Sequence, residues 1–325
     1  MATLYGILSD FHRTSPTTIN RALESLKAAG AQYLILNGDV TGEQNAHKIP
    51  PPYYLDYLLK AAADTNLETY VQFGSHEEFF SSEEVIRQKS RLYGNIIHIS
   101  NQQAIKINDH NLLFLPGSDV NSGGEYTLGT DLPSGVYLRT DKGLQHIESK
   151  EDYASCQQLI QNKQAQGMLH YENTNDLKVH ATDPEKTIRI CHIPPLSSGK
   201  LAIDRAQFGV AKESFTLDKR PIERGSIFPY PIARDLIGYG APIEMKDENV
   251  GNKDLADIMQ TLGITKAICG HIHEASQRAH DTQSNPIPQH TYTPSLLWNA
   301  SCMDKSRIGL LTVQDNQVAY QNVTF

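Results

Sequence analysis

Five short stretches of this chain carry side chains that bind cations and move protons: Asp10-Phe11-His12, Gly38-Asp39, Gly74-Ser75-His76-Glu77, His192, and Gly270-His271-Ile272-His273. Imidazole and carboxylate donors gathered in one place suit Mn²⁺, Fe²⁺/Fe³⁺ or Zn²⁺ better than Ca²⁺ or Mg²⁺. A lone H-x-H or D-x-H is a weak signal in a chain with 13 His. The set is specific because each stretch directly follows an apolar run, and the five occur in order.

Those runs read as strands. Tyr5–Leu8, Tyr33–Leu36 and Thr69–Phe73 alternate with helical patterns: one opened by Ser15-Pro16 and closed at Gly30, one over Tyr53–Ala63, one over Glu83–Leu92. Strand, helix, strand in this order predicts parallel pairing with right-handed crossovers. Further strands are expected at Ile96–Ile99, Ala104–Ile107, Leu112–Leu115, Thr187–Ile193, Lys266–Cys269, Ser295–Asn299 and Ile308–Phe325, with helices over Glu151–Gln164 and Asp254–Leu262. Ligand sites in α/β sheets lie beyond the carboxyl ends of strands. Five strand ends would therefore deliver two Asp and five His to one edge. Pro116–Gly135 reads as a long loop or the start of an insertion, and residues 196–252 give no clear elements.

Composition bounds the rest. At 325 residues, with 39% hydrophobic and 20% charged residues, the chain is an ordinary globular sequence. No apolar stretch is long enough for a membrane helix, and the start lacks the features of a signal peptide. The four cysteines, Cys156, Cys191, Cys269 and Cys302, form no CxxC. Reduced thiols in a cytoplasmic protein are the expectation. The net charge of −8 disfavours a nucleic-acid partner. The remaining His, including His47, His98, His110 and His280, are expected on the surface or in structural hydrogen bonds. Tyr126, Tyr137, Tyr171, Phe228, Tyr230 and Tyr239 are expected mainly to pack insertions, with stacking on a ligand as the alternative.

The ordered set Asp10-x-His12, Gly38-Asp39, Gly74-Ser75-His76-Glu77, His192 and Gly270-His271-x-His273 resembles the D-x-H, GD, G-N-H-[DE], His and G-H-x-H motifs of the calcineurin-like metallophosphoesterase superfamily, and the stretch from Glu248-Asn-Val-Gly-Asn252 to His273 resembles its archaeal-type members. The resemblance spans residues 10 to 273. It implies an α/β fold, a four-layer αββα sandwich of two mixed sheets, as a single domain over 1–325 with insertions at about 117–186 and 196–252. It also implies two divalent transition-metal ions. Asp10, His12 and His273 would hold the first and His192 and His271 the second, with Asp39 bridging. A bridging hydroxide would attack, and His76 would protonate the leaving oxygen. Arg13 is a candidate for a phosphate oxygen, the alternative being a surface salt bridge.

One position departs from the family pattern: Ser75 stands where an Asn amide usually ligates. The second ion is then expected to be weaker, or to be completed by water, Asn37 or Asn299. The implied function is hydrolysis of a small, nucleotide-like phosphomonoester or phosphodiester. The alternatives are a catalytically weak scaffold on the same fold and a nuclease.

Overall fold

The computed structural model describes residues 2–41, 49–119, 124–217 and 219–325, so His47 lies outside the described residues. β1 (Thr3–Leu8), β2 (Tyr33–Asn37), β3 (Glu68–Gln72) and β4 (Ile96–His98) run parallel. α1 (Pro16–Ala28), α2 (Pro51–Asp64) and α3 (Phe79–Leu92) lie between them in the chain. Ser15 caps α1 by accepting from the Thr18 amide at 3.1 Å, and Pro16 fills the first turn where no N–H is needed. β21 (Arg307–Gln314) joins β1 antiparallel, and β22 (Gln317–Thr324) joins β21, giving the order β22-β21-β1-β2-β3-β4.

A second mixed sheet has the order β19-β20-β18-β12-β6-β5. Its strands are β5 (Gln103–Ile107), β6 (His110–Leu115), β12 (Thr187–Cys191), β18 (Lys266–Cys269), β19 (Ala279–His280) and β20 (Leu296–Asn299). The inner four are parallel, and the two edge strands are antiparallel.

Period-two alternation decides how the sheets stack. Tyr5, Ile7, Ile35, Leu112, Phe114, Ile188, Ile190, Ile268 and Trp298 face inward and form one core between the sheets. Leu8, Leu34 and Leu36 point the other way and pack with Ile19, Leu23, Leu55 and Leu58 from α1 and α2. Leu113, Leu115, Cys191 and Cys269 point outward from the second sheet. They meet Leu177 of α5 (Leu177–His180) and Leu255, Ile258 and Met259 of α7 (Lys253–Leu262). The result is a four-layer αββα sandwich.

Two additions interrupt the second sheet. β7 (Ser118–Asp119), β8 (Tyr126–Gly129), β9 (Gly135–Thr140), β10 (Gly143–Ile147) and β11 (Gly167–Asn173) form a third sheet ordered β10-β9-β11-β8-β7, with α4 (Tyr153–Gln161) beside it in the chain. The stretch Pro116–Gly135, expected as a long loop or the start of an insertion, contains β7 and β8 of this sheet. The other addition pairs β13 (Arg205–Ala211) with β16 (Ile227–Pro229) and β17 (Ile243–Asn249). It also holds the hairpin of β14 (Phe215–Leu217) and β15 (Arg220–Ile222), and α6 (Tyr230–Gly238). Tyr137 and Tyr171 pack within the first addition and Phe228 within the second, whereas Tyr239 is exposed.

Among the described residues, no helix is long and apolar enough to cross a membrane. His110 accepts or donates against Tyr5 Oη at 2.7 Å, and His280 accepts from the Ile203 amide at 3.3 Å, so both serve the framework.

Trp298 sits fully buried between the sheets, with its indole N–H donated to Asn322 Oδ1 at 3.0 Å. Truncating a buried aromatic leaves a cavity and typically costs about 3–5 kcal/mol. Trp298→Ala should lower unfolding stability by that amount in a urea titration with an unchanged slope. A loss below about 1 kcal/mol would show that the sandwich does not depend on this packing.

Candidate metal centre

The parallel strands of both sheets end along one edge, and each ending is a sharp turn. β1 leads to Asp10 and His12, β2 to Asp39, β3 to Ser75 and His76, β12 to His192, and β18 to His271 and His273. Asp10, Asp39 and His271 adopt left-handed backbone, with φ of 57°, 49° and 67°. Such conformations cost about 1–3 kcal/mol for non-glycine residues and gather at functional sites. Gly38 and Gly74 let the turns close up: an added Cβ would lie 2.4 Å from the His192 ring and 2.5 Å from Asp39 Oδ1, respectively.

Three groups of donors result: Asp10, His12 and His273; His12, Asp39 and His76; and Asp39, His192 and His271. Within each group the ligand atoms lie within 4.8 Å of one another. Asp39 Oδ2 is 3.0 Å from His192 Nε2 and 3.4 Å from His12 Nε2, and Asp10 Oδ1 is 3.2 Å from His273 Nε2.

The His192 ring is fixed by its surroundings. Its Nδ1 lies 2.9 Å from the Asn37 carbonyl oxygen, which can only accept, so Nδ1 carries a proton. Nε2 is buried without a hydrogen-bond partner and faces a carboxylate oxygen. In the neutral ring this sets lone pair against lone pair. Only a proton or a metal cation between them relieves the conflict. His12 Nδ1 is likewise buried without a partner. These N and O donors fit a first-row transition ion.

Electrostatics show the same demand for positive charge. Burial alone would raise the Asp10 carboxyl, but the bond and charge of His273 overcome it and hold it down to about 2. Asp39 is driven well below the usual carboxylate range, His192 and His12 outweighing its burial. Burial works against a charged His192, yet Asp39 and Asp10 pull it up to about 9. His271 goes the other way, to about 4, through burial and the neighbouring His192. A neutral His271 is the form that can ligate.

The carboxylates are aimed by hydrogen bonds. Asp10 accepts from Ser9 Oγ at 2.6 Å and from the His271 amide at 3.1 Å. Asp39 Oδ1 accepts from the amides of Ser75 at 2.6 Å and His76 at 3.1 Å. The Ser75 hydroxyl is 3.0–3.1 Å from both Asp39 oxygens, so its proton is committed to holding Asp39.

His76 is exposed, with its ring centroid 4.4 Å from that of His12. Arg13 is exposed at the rim, its backbone N–H donated to Asp304 Oδ1 at 2.5 Å. Asn37 is already engaged: its amide oxygen accepts from Gln72 at 2.5 Å and its NH₂ donates to the Cys191 carbonyl. The Asn299 NH₂ donates to the Ile203, Gly270 and Ile272 carbonyls at 3.0–3.2 Å and so pins the G-H-x-H turn.

Sequence reasoning assigned no task to Glu77. Its Oε1 accepts from the Val40 and Thr41 amides and its Oε2 from Gly74, which ties the β2 turn to the β3 turn. Its place at the end of the G-x-H-E pattern was the available signal.

No family model and no curated protein matches the chain. Among solved structures, the chain is similar to a dimetal phosphatase from Danio rerio, with 10% identity over 99% of both chains and a TM-score of 0.47. TT1561 of Thermus thermophilus aligns over 99% of both chains at 8% identity with a TM-score of 0.47. The phosphoesterase Yfce from E. coli aligns over 44% of this chain and 78% of its own at 16% identity, with a TM-score of 0.24.

Two outcomes are expected of this geometry. Mn²⁺ at a hundredfold excess over its dissociation constant should add about 2.7 kcal/mol to unfolding stability. Chelation should remove that gain, and Asp39→Asn should abolish it. No thermal shift with Mn²⁺, Fe²⁺ or Zn²⁺ would count against the site. Calorimetric titration should also show one tight and one loose step, with Ser75→Asn tightening the loose one. Two equally tight steps in the wild type, unchanged in Ser75→Asn, would mean that the Ser75 position needs no amide.

Proposed function

We propose that this chain is a calcineurin-like, metal-dependent phosphoesterase acting on a small phosphorylated substrate. The observation that carries the reading is the convergence on Asp39 Oδ2: two imidazole nitrogens, from His192 and His12, approach one carboxylate oxygen at 3.0 and 3.4 Å. Asp10, His12 and His273 would hold one ion and His192 and His271 the other, with Asp39 between them and Ser75 at the edge of the second. Bound there, a pair of Mn²⁺, iron or Zn²⁺ ions supplies Lewis acidity to phosphoryl oxygens and activates water.

The chain's own residues do the rest. Asn37 fixes the proton on His192 Nδ1, leaving Nε2 free to ligate. Ser75 and two backbone amides hold Asp39 in place, and the His271 amide does the same for Asp10. His76, exposed beside His12, would give a proton to the departing ester oxygen. The net charge of −8 favours a small substrate over a polyanion such as DNA.

His76→Ala separates acid catalysis from metal binding. The variant should keep its metal. It should lose about 10²–10⁴ in turnover on an alkyl phosphate and far less on p-nitrophenyl phosphate, whose leaving oxygen needs no proton. Equal losses on both esters would remove the acid assignment. Absence of turnover by the metal-loaded wild type on either ester would overturn the enzyme reading.

A further inference from the structure

A cavity of about 400 Å³ lies between the third sheet and the start of α7, with Asp119, Leu128, Arg139, Tyr171, Asn252 and Asp254 in its wall. Its size falls within the roughly 300–1,000 Å³ of small-molecule sites. Its wall contains none of the metal ligands themselves, but two sets of contacts join it to the strand ends that carry them. Asn252 donates its backbone N–H to Pro194 at 2.9 Å and accepts from Leu196, both just beyond His192 in the chain. Arg139 donates to the Gly124 carbonyl at 3.1 Å, and Gly124 packs so closely on Ser75 that a Cβ there would lie 2.3 Å from the Ser75 carbonyl oxygen.

Arg139 is the cation of interest in this wall. It is half-buried and donates one N–H to Gly124. Among the described residues it forms no ion pair with a carboxylate. Its guanidinium keeps donors for a ligand, and a planar fork of this kind matches phosphate oxygens. Across the cavity, Asp254 Oδ2 accepts from the Thr130 hydroxyl at 3.3 Å.

We infer that this cavity holds the leaving portion of the substrate: a hydroxylated group of sugar or nucleoside size that carries a second phosphate, with Arg139 against that phosphate. The inference rests on the phosphoesterase reading and extends it from phosphoesters in general to those with a second phosphate. For an organic diphosphate, the oxygen of water bonds to the terminal phosphorus and the bridging P–O bond breaks. Its electron pair stays on the phosphate beside Arg139, and the protons of the water pass to product oxygens and solvent.

The test compares Mn²⁺-loaded wild type, Arg139→Gln and Arg139→Lys on ADP, adenosine monophosphate and p-nitrophenyl phosphate. Calorimetric binding of ADP to the metal-free proteins runs alongside. In the wild type, kcat/KM for ADP should exceed that for adenosine monophosphate. The ratio of ADP to p-nitrophenyl phosphate turnover should fall about 10- to 100-fold in Arg139→Gln, with partial recovery in Arg139→Lys. Melting curves that match the wild type confirm that the variants fold. A ratio unmoved by Arg139→Gln, or no preference for ADP, overturns the pocket assignment while the phosphoesterase reading stands. If no ester is hydrolysed, the phosphoesterase reading fails and the leaving-group assignment falls with it; no ADP binding to the wild type overturns the pocket whether or not the esters turn over.

Discussion

The centre is organised around the burial of two carboxylates that require positive charge. Asp10 and Asp39 are essentially inaccessible to solvent, and an uncompensated charge in that setting is severely unfavourable. The compensation comes from imidazoles, which are neutral ligands or cations according to what lies between them. His192 shows this most sharply. Its outer nitrogen is committed to a backbone carbonyl, so its inner nitrogen must share a proton or a metal ion with Asp39. Proton and metal ion are then competitors for one position, and the surrounding framework is the means of holding that position open.

The framework achieves this through strand ends rather than through loops. Parallel strands from two sheets terminate on one edge, and the turns beyond them are cross-tied. Glu77 bonds the β2 turn to the β3 turn, Asn299 pins the β18 turn, and the Asn37 carbonyl orients His192 from the facing sheet. Each tie joins separate strand ends. The ligand set is therefore only as stable as the sandwich that brings the sheets together.

This division explains what could be read from sequence. The strand ends were legible because a fully buried strand is an apolar run, and a ligand directly after such a run stands out. The αββα layering came from the resemblance that those same strand-end motifs carry. The strands of the first addition were not legible. β10 is exposed along almost its whole length, and β8 lies inside a stretch rich in Gly, Ser and Asp. Such strands owe their existence to pairing partners, and local propensity barely records them. Glu77 was visible only as a motif letter, since its role lies in accepting amides from another turn. Arg139 carried no signal at all. Its place beside Ser75 depends on the register of β9 and on the close approach of Gly124.

The backbone at the ligand positions is under strain as well. Asp10, Asp39 and His271 hold left-handed conformations that together cost several kcal/mol. A domain of ordinary stability, about 5–15 kcal/mol, gives up a substantial part of its margin to keep them. Replacing Asp10 and Asp39 with glycine or asparagine would relieve two of the turns and remove the buried charges together. The strain is understandable if a bound cation offsets it by coordinating the same three side chains. Strained turns, buried carboxylates and a fixed imidazole tautomer are then parts of one arrangement, in which folding prepares a negative cavity that metal binding completes.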